Sequence, residues 1–147
     1  MKLVTILASI GVLAAGFGPA MARSQLEFAP MTPRLPFSPA VRVGDVLYLS
    51  GQIGNGPDNR LPEGIEAQGR QAMENIAGVL KTQGSTMNDV FKCTVYLADM
   101  SQWAAFNKVY LTYFDPKRLP ARSALGVNGL VAGALLEIEC WAYAPRR

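Results

Sequence analysis

Two short segments hold the residue types that can do chemistry on a small anion. One is Leu119-Pro120-Ala121-Arg122-Ser123; the other is the strand-like Leu136-Glu137-Ile138-Glu139-Cys140. The planar fork of an arginine matches a carboxylate through two parallel N–H···O bonds, and a glutamate can direct a water molecule at a carbon held beside it. The chain contains no histidine, which removes Ser-His and Cys-His nucleophilic catalysis and imidazole proton relays together. Chemistry here must run on arginine, glutamate, backbone and water. Two isolated cysteines without histidine do not make a zinc ligand set, so no metal is expected.

Residues 1–22 read as an export leader. Lys2 supplies the positive start, Leu3 to Phe17 the apolar stretch, and Ala20-Met21-Ala22 a small-x-small cleavage site with the cut after Ala22. Thr5, Ser9, Gly11, Gly16 and Gly18 interrupt the apolar stretch, which falls short of the roughly 20 residues a bilayer span needs. A removed peptide is therefore expected in preference to an uncleaved tether, leaving residues 23–147 as one periplasmic or secreted domain. Without Lys2 the chain sets 13 basic against 11 acidic residues, and no window gathers five Lys or Arg. Nucleic acid is not an expected partner. Cys93 alternates with Phe91, Val95 and Leu97, and Cys140 with Leu136, Ile138 and Ala142. Both patterns favour small buried hydrophobes over a bridge, although an exported chain permits either.

The elements that must position these groups follow from periodicity and turn chemistry. Prolines at 30, 33, 36 and 39 make an extended arm. Val41–Val43 and Val46–Ser50, joined by Gly44-Asp45, read as a hairpin with a type II′ turn. A helix is expected from about Glu66 to Gln83, with Met73, Ile76 and Leu80 on its buried stripe and Gly84 just past its end. Asp89 to Leu97 reads as a strand, and the strand–helix–strand unit implies that its two strands run parallel. Asp99 or Ser101 can cap a second helix whose Trp103, Phe106, Tyr110 and Tyr113 or Phe114 are assigned to the core; Asp115-Pro116 ends it. Strands at Ser123–Asn128 and Ala134–Ala144 complete an α+β sandwich with the helices on one face of a mixed sheet. In the last strand Glu137, Glu139, Trp141 and Tyr143 share the other face. Large aromatics beside acids on that face point to contact with another copy of the chain.

Several ordered blocks resemble the RidA family (reactive intermediate deaminase, YjgF type). They are Pro36-Phe37-Ser38-Pro39-Ala40, Val43 to Ile53, Ala67 to Ile76, Lys92 to Met100, Pro120-Ala121-Arg122-Ser123 and Leu136-Glu137-Ile138-Glu139. The resemblance runs from about residue 28 to the C-terminus. It implies a chorismate-mutase-like α+β protomer, a homotrimer with clefts between subunits, and hydrolysis of 2-aminoacrylate-type enamines and 2-imino acids to 2-keto acids and ammonium, with no cofactor. By the same resemblance Arg122 holds the substrate carboxylate and Glu137 positions or activates the attacking water. Ser50 and Gly51 line the cleft, and Asn107 falls at a pocket-side asparagine.

The chain departs from the family pattern at three points. Phe37 replaces a tyrosine, which removes a hydroxyl but keeps apolar packing over the cleft. Ala124 replaces a cysteine common just after Arg-Ser, and a leader precedes the domain although the enamine-producing dehydratases that the family serves are expected in the cytosol. The rival reading is a non-catalytic trimer that captures small carboxylates or partner proteins through the same cleft. A ribonuclease reading fares worse, because the chain has neither histidine nor a basic surface.

Overall fold

The computed structural model describes residues 26–31 and 35–146; the expected leader, its cleavage site and Pro33 lie outside the described residues. Seven strands, β1 (Leu26–Phe28), β2 (Ala40–Val43), β3 (Val46–Leu49), β4 (Gln52–Ile53), β5 (Val90–Leu97), β6 (Ala121–Gly126) and β7 (Leu136–Tyr143), form one mixed sheet. Its order is β1-β2-β3-β7-β5-β6, with β4 also paired to β7. Helices α1 (Ile65–Thr82) and α2 (Trp103–Leu111) lie on one face. This is the α+β architecture expected from the sequence.

The β2–β3 hairpin closes at Gly44, whose φ of 58° is open to glycine at little cost. Helix α1 buries Ala72, Met73, Ile76 and Leu80 and ends just before Gly84, at φ 71°. Strands β3 and β5 do run in the same direction, but β7 lies between them and pairs antiparallel with both. Among the described residues only β5 and β6, joined through α2, pair directly in parallel. Asp99 accepts from the Ser101 backbone N–H and caps a short 3-10 turn, Met100–Gln102, that leads into α2. The two helices approach closely because residue 69 is glycine: a Cβ there would stand 2.9 Å from the Phe106 ring.

Strand β7 is the centre of the molecule. Leu136, Ile138, Cys140 and Ala142 are buried beneath the helices, while Glu137, Glu139 and Trp141 are half-buried on the open face. Buried Gln68 anchors the start of the strand to α1, accepting from the Leu135 N–H and donating to the Pro62 carbonyl.

Three expectations need correcting. Cys93 and Cys140 are joined in a disulfide, because the parity that buries both residues also sets them opposite each other in the β5–β7 register. Phe91 does not share the buried face: a register irregularity between Val90 and Lys92 turns it outward, against Trp141. Strand β6 begins at Ala121, so Arg122 is a strand residue paired in register with Cys93.

Candidate active site

Arg122 emerges on the helix face, beneath α2. Trp103, Asn107 and Tyr110, spaced four and three residues apart, form the helix stripe that meets it. The Arg122 Cζ lies 4.6 Å from the centroid of the Trp103 ring and 4.4 Å from that of Tyr110. Its Nη2 donates to Asn107 Oδ1 at 2.7 Å. With ring contacts on the cation and one amino group tied to Asn107, the remaining N–H donors are left for a planar anion. They border a cavity of about 380 Å³ whose other walls include Leu111, Leu119 and Pro120. Asn107 and Arg122, both candidates from the sequence, therefore belong to one site. Trp103 and Tyr110, assigned to the core from their spacing, also line this cavity. The legible signal was that they share a helix stripe with Asn107.

Glu137 occupies the open face, opposite Tyr96 of β5 and Ile53 of β4. Between β3 and β4 the pairing with β7 slips by one residue, from Tyr48↔Trp141 to Gln52↔Ile138. The extra residue falls at Ser50-Gly51, a bulge of the kind that re-aims backbone beside a site. It brings Gly51 against the Glu137 carboxylate: a Cβ on Gly51 would stand 2.8 Å from the carboxyl carbon, with Oε1 closer still. Ser50 and Gly51 thus gather with Glu137. The Ser50 hydroxyl donates to the Ser38 carbonyl at 2.6 Å, so its proton holds the 35–39 arm and its lone pairs remain to accept. Phe37 sits on that arm with its ring substantially exposed, on the Ser50 side and outside the lining of the Arg122 cavity. The Tyr96 hydroxyl is held above its ordinary 10.0 by burial and by the charges of Glu139 and Glu137, as expected where both carboxylates face it.

The six candidate residues therefore form two groups. Arg122 and Asn107 lie on the helix face; Glu137, Gly51, Ser50 and the Phe37 arm gather around the other face of β7. Strand β5 separates Arg122 from Glu137, and the two side chains leave opposite faces of the sheet. One copy of the chain does not assemble both around one small molecule. A larger hollow, about 660 Å³ between α1 and the 52–57 loop, contains neither residue and no basic side chain. Within it the Asn75 amide is committed to the carbonyls of Ile53 and Asn55, so it offers no grip on a carboxylate.

Sheet order, the two helices on one face and the arginine site define a small α+β domain of the RidA type. The chain belongs to the family described as endoribonuclease L-PSP, whose model matches residues 28–144. It is 41% identical over 109 residues to the mouse 2-iminobutanoate/2-iminopropanoate deaminase, covering 73% of this chain and 80% of that protein. It is 43% identical over 110 residues to a RutC family protein of Pyrococcus horikoshii, covering 74% and 86%. Among solved structures, RidA from an Antarctic Psychrobacter aligns with TM-score 0.72 at 38% identity, covering 82% of this chain and 98% of that one. E. coli TdcF with bound serine aligns with TM-score 0.71 at 31% identity, covering 78% and 92%.

Proposed function

We infer that this protein is a homotrimeric hydrolase that converts 2-imino acids and their enamine tautomers to 2-keto acids and ammonium, in an exported setting. The observation that carries the reading is the division of the site. The carboxylate grip of Arg122 and Asn107 faces one side of the sheet, and the water-directing group, Glu137 seated on Gly51, faces the other. A pair so divided becomes one site when the open face of one copy lies beside the α2–β6 edge of the next. The open face is suited to burial, since Tyr48, Phe91 and Tyr143 stand exposed around Trp141. Deaminase relatives at about 40% identity, and the serine held by TdcF, agree with a small amino-acid-like ligand.

In this reading Arg122 fixes the substrate carboxylate by a charge-assisted pair worth roughly 1.5–3 kcal/mol when shielded from water. A protonated imine carbon is already electrophilic. Glu137 of the adjoining copy then need only orient water at that carbon and accept its proton, giving a carbinolamine; returning that proton to the amino group lets the C–N bond break, and the hydroxyl proton leaves as the C=O bond forms, so the products are the keto acid and ammonium. The absence of histidine and the near-balanced charge weigh against RNA cleavage by this chain. Export is supported by the leader pattern and by the buried Cys93–Cys140 bridge, since disulfides persist in oxidising compartments.

The test is the rate at which 2-iminopropanoate, generated in situ by an amino-acid oxidase, disappears with the wild-type protein and with Arg122→Ala. Acceleration by the wild type alone is expected. No acceleration by an intact trimer would shift the reading to a non-catalytic carboxylate-binding protein.

A further inference from the structure

The geometry points to Trp103 and Tyr110 as positioning residues that set the plane of the Arg122 guanidinium, so that substrate carboxylate is met by a fork already oriented rather than by a mobile cation. The inference rests on the functional reading above and concerns the same arginine.

An arginine side chain loses several rotatable bonds' worth of freedom when it grips an anion, and affinity falls by whatever ordering remains to be done. Here much of that ordering is built in. Both ring centroids lie within 4.6 Å of Cζ, inside the 6 Å range of cation–π attraction. The two aromatic residues are seven positions apart on α2, about 10 Å of helix rise. Two rings from one helix thus meet the same guanidinium, and Asn107, between them in sequence, accepts one of its N–H groups. These three contacts restrain the guanidinium before any anion arrives.

The rings are held in turn. Tyr110 is packed against Phe106 and Phe114, at 6.0 and 4.8 Å between centroids. It is 3% exposed, and among the described residues its hydroxyl has no hydrogen-bond partner. The same ring that packs on Phe106 and Phe114 also meets Arg122.

The test is a double-mutant cycle on affinity for the product-like 2-oxobutanoate and on KM and kcat for the imine, using the full trimeric protein. A carboxylate held alike in ground and transition states contributes to KM and not to kcat. Trp103→Leu is therefore expected to raise KM and the 2-oxobutanoate Kd about five-fold with kcat within two-fold, and Trp103→Phe, which keeps a ring, to restore most of the loss. Tyr110→Phe should likewise raise KM less than Tyr110→Leu. Arg122→Lys replaces the planar fork by a point charge, so Trp103→Leu should add less than two-fold in that background. Equal costs of Trp103→Leu with Arg122 and with Lys at 122, or a loss confined to kcat, would overturn the positioning role while leaving the deaminase reading intact. A wild-type protein that neither hydrolyses the imine nor binds 2-oxobutanoate would overturn both.

Discussion

Gly51→Ala isolates the contribution of the Glu137 carboxylate without deleting it. Gly51 does not have a positive φ, so alanine adopts its backbone conformation without strain. The added methyl group would instead land on the carboxyl group, 2.8 Å from Cδ and 3.1 Å from Cγ of Glu137. Restoring ordinary van der Waals separation moves the carboxyl carbon by about 1 Å. The displaced atoms are the free end of a flexible side chain on a half-buried face, so the fold yields cheaply. Stability should change by less than about 1 kcal/mol, as for substitutions outside the core. Chemistry should not yield cheaply, since a misplacement of about 1 Å can cost on the order of 100-fold in rate. The expected outcome is a kcat about 100-fold lower, with KM nearly unchanged because Arg122 is untouched. The assay is steady-state imine hydrolysis beside urea unfolding, with Gly54→Ala as the contrasting case. There the methyl group would stand 2.6 and 2.7 Å from the backbone Cα and C of Gln68, which cannot swing aside, and loss of the folded protein is expected. Wild-type kcat in a folded Gly51→Ala protein would refute the assignment of Glu137 to the chemistry.

Glu137→Gln keeps the size of the side chain and removes the base; kcat should fall about 100-fold with KM little changed, and an unaltered pH–rate profile at full activity would dismiss Glu137 as the water-directing group. The Cys93–Cys140 bridge closes a loop of sequence separation 47, for which the chain-entropy relation gives about 4 kcal/mol of stabilisation; the Cys93→Ala/Cys140→Ala protein should unfold at correspondingly lower urea, and two titratable thiols in denatured, unreduced wild type would contradict the bridge. Tyr110 and Tyr113 are both pushed up to about 12 from 10.0, chiefly by burial, with Tyr113 also held by its hydrogen bond to Glu74. The unfolded chain releases these protons near pH 10 while the folded chain keeps them, so stability is whole below pH 10 and declines from there to about pH 12. A urea midpoint independent of pH across that window, or a decline no shallower in Tyr113→Phe, would show that these hydroxyls are not linked to folding.

The sequence by itself determined the elements and their faces. Alternation in Leu136–Tyr143 separated a buried from an open side, Gly44 and Gly84 marked a turn and a helix end, and the blocks around Arg122 and Glu137 identified the family and its candidate residues. These are local properties, carried by periods of 2 and 3.6 residues and by glycine's freedom at positive φ. What lies across strands was decided only by tertiary structure. The insertion of β7 between β3 and β5 set Cys140 opposite Cys93 and turned two expected buried hydrophobes into a disulfide. The irregularity at Val90–Lys92 moved Phe91 to the face its spacing denied it, and the one-residue slip at Ser50-Gly51 seated Gly51 on Glu137. The stripe of α2 aromatics looked like core because helical spacing reports which side faces inward and not what is waiting there. Only the parallel pairing of β6 with β5 brought Arg122 under that stripe, and strand parity then placed it on the side of the sheet opposite Glu137.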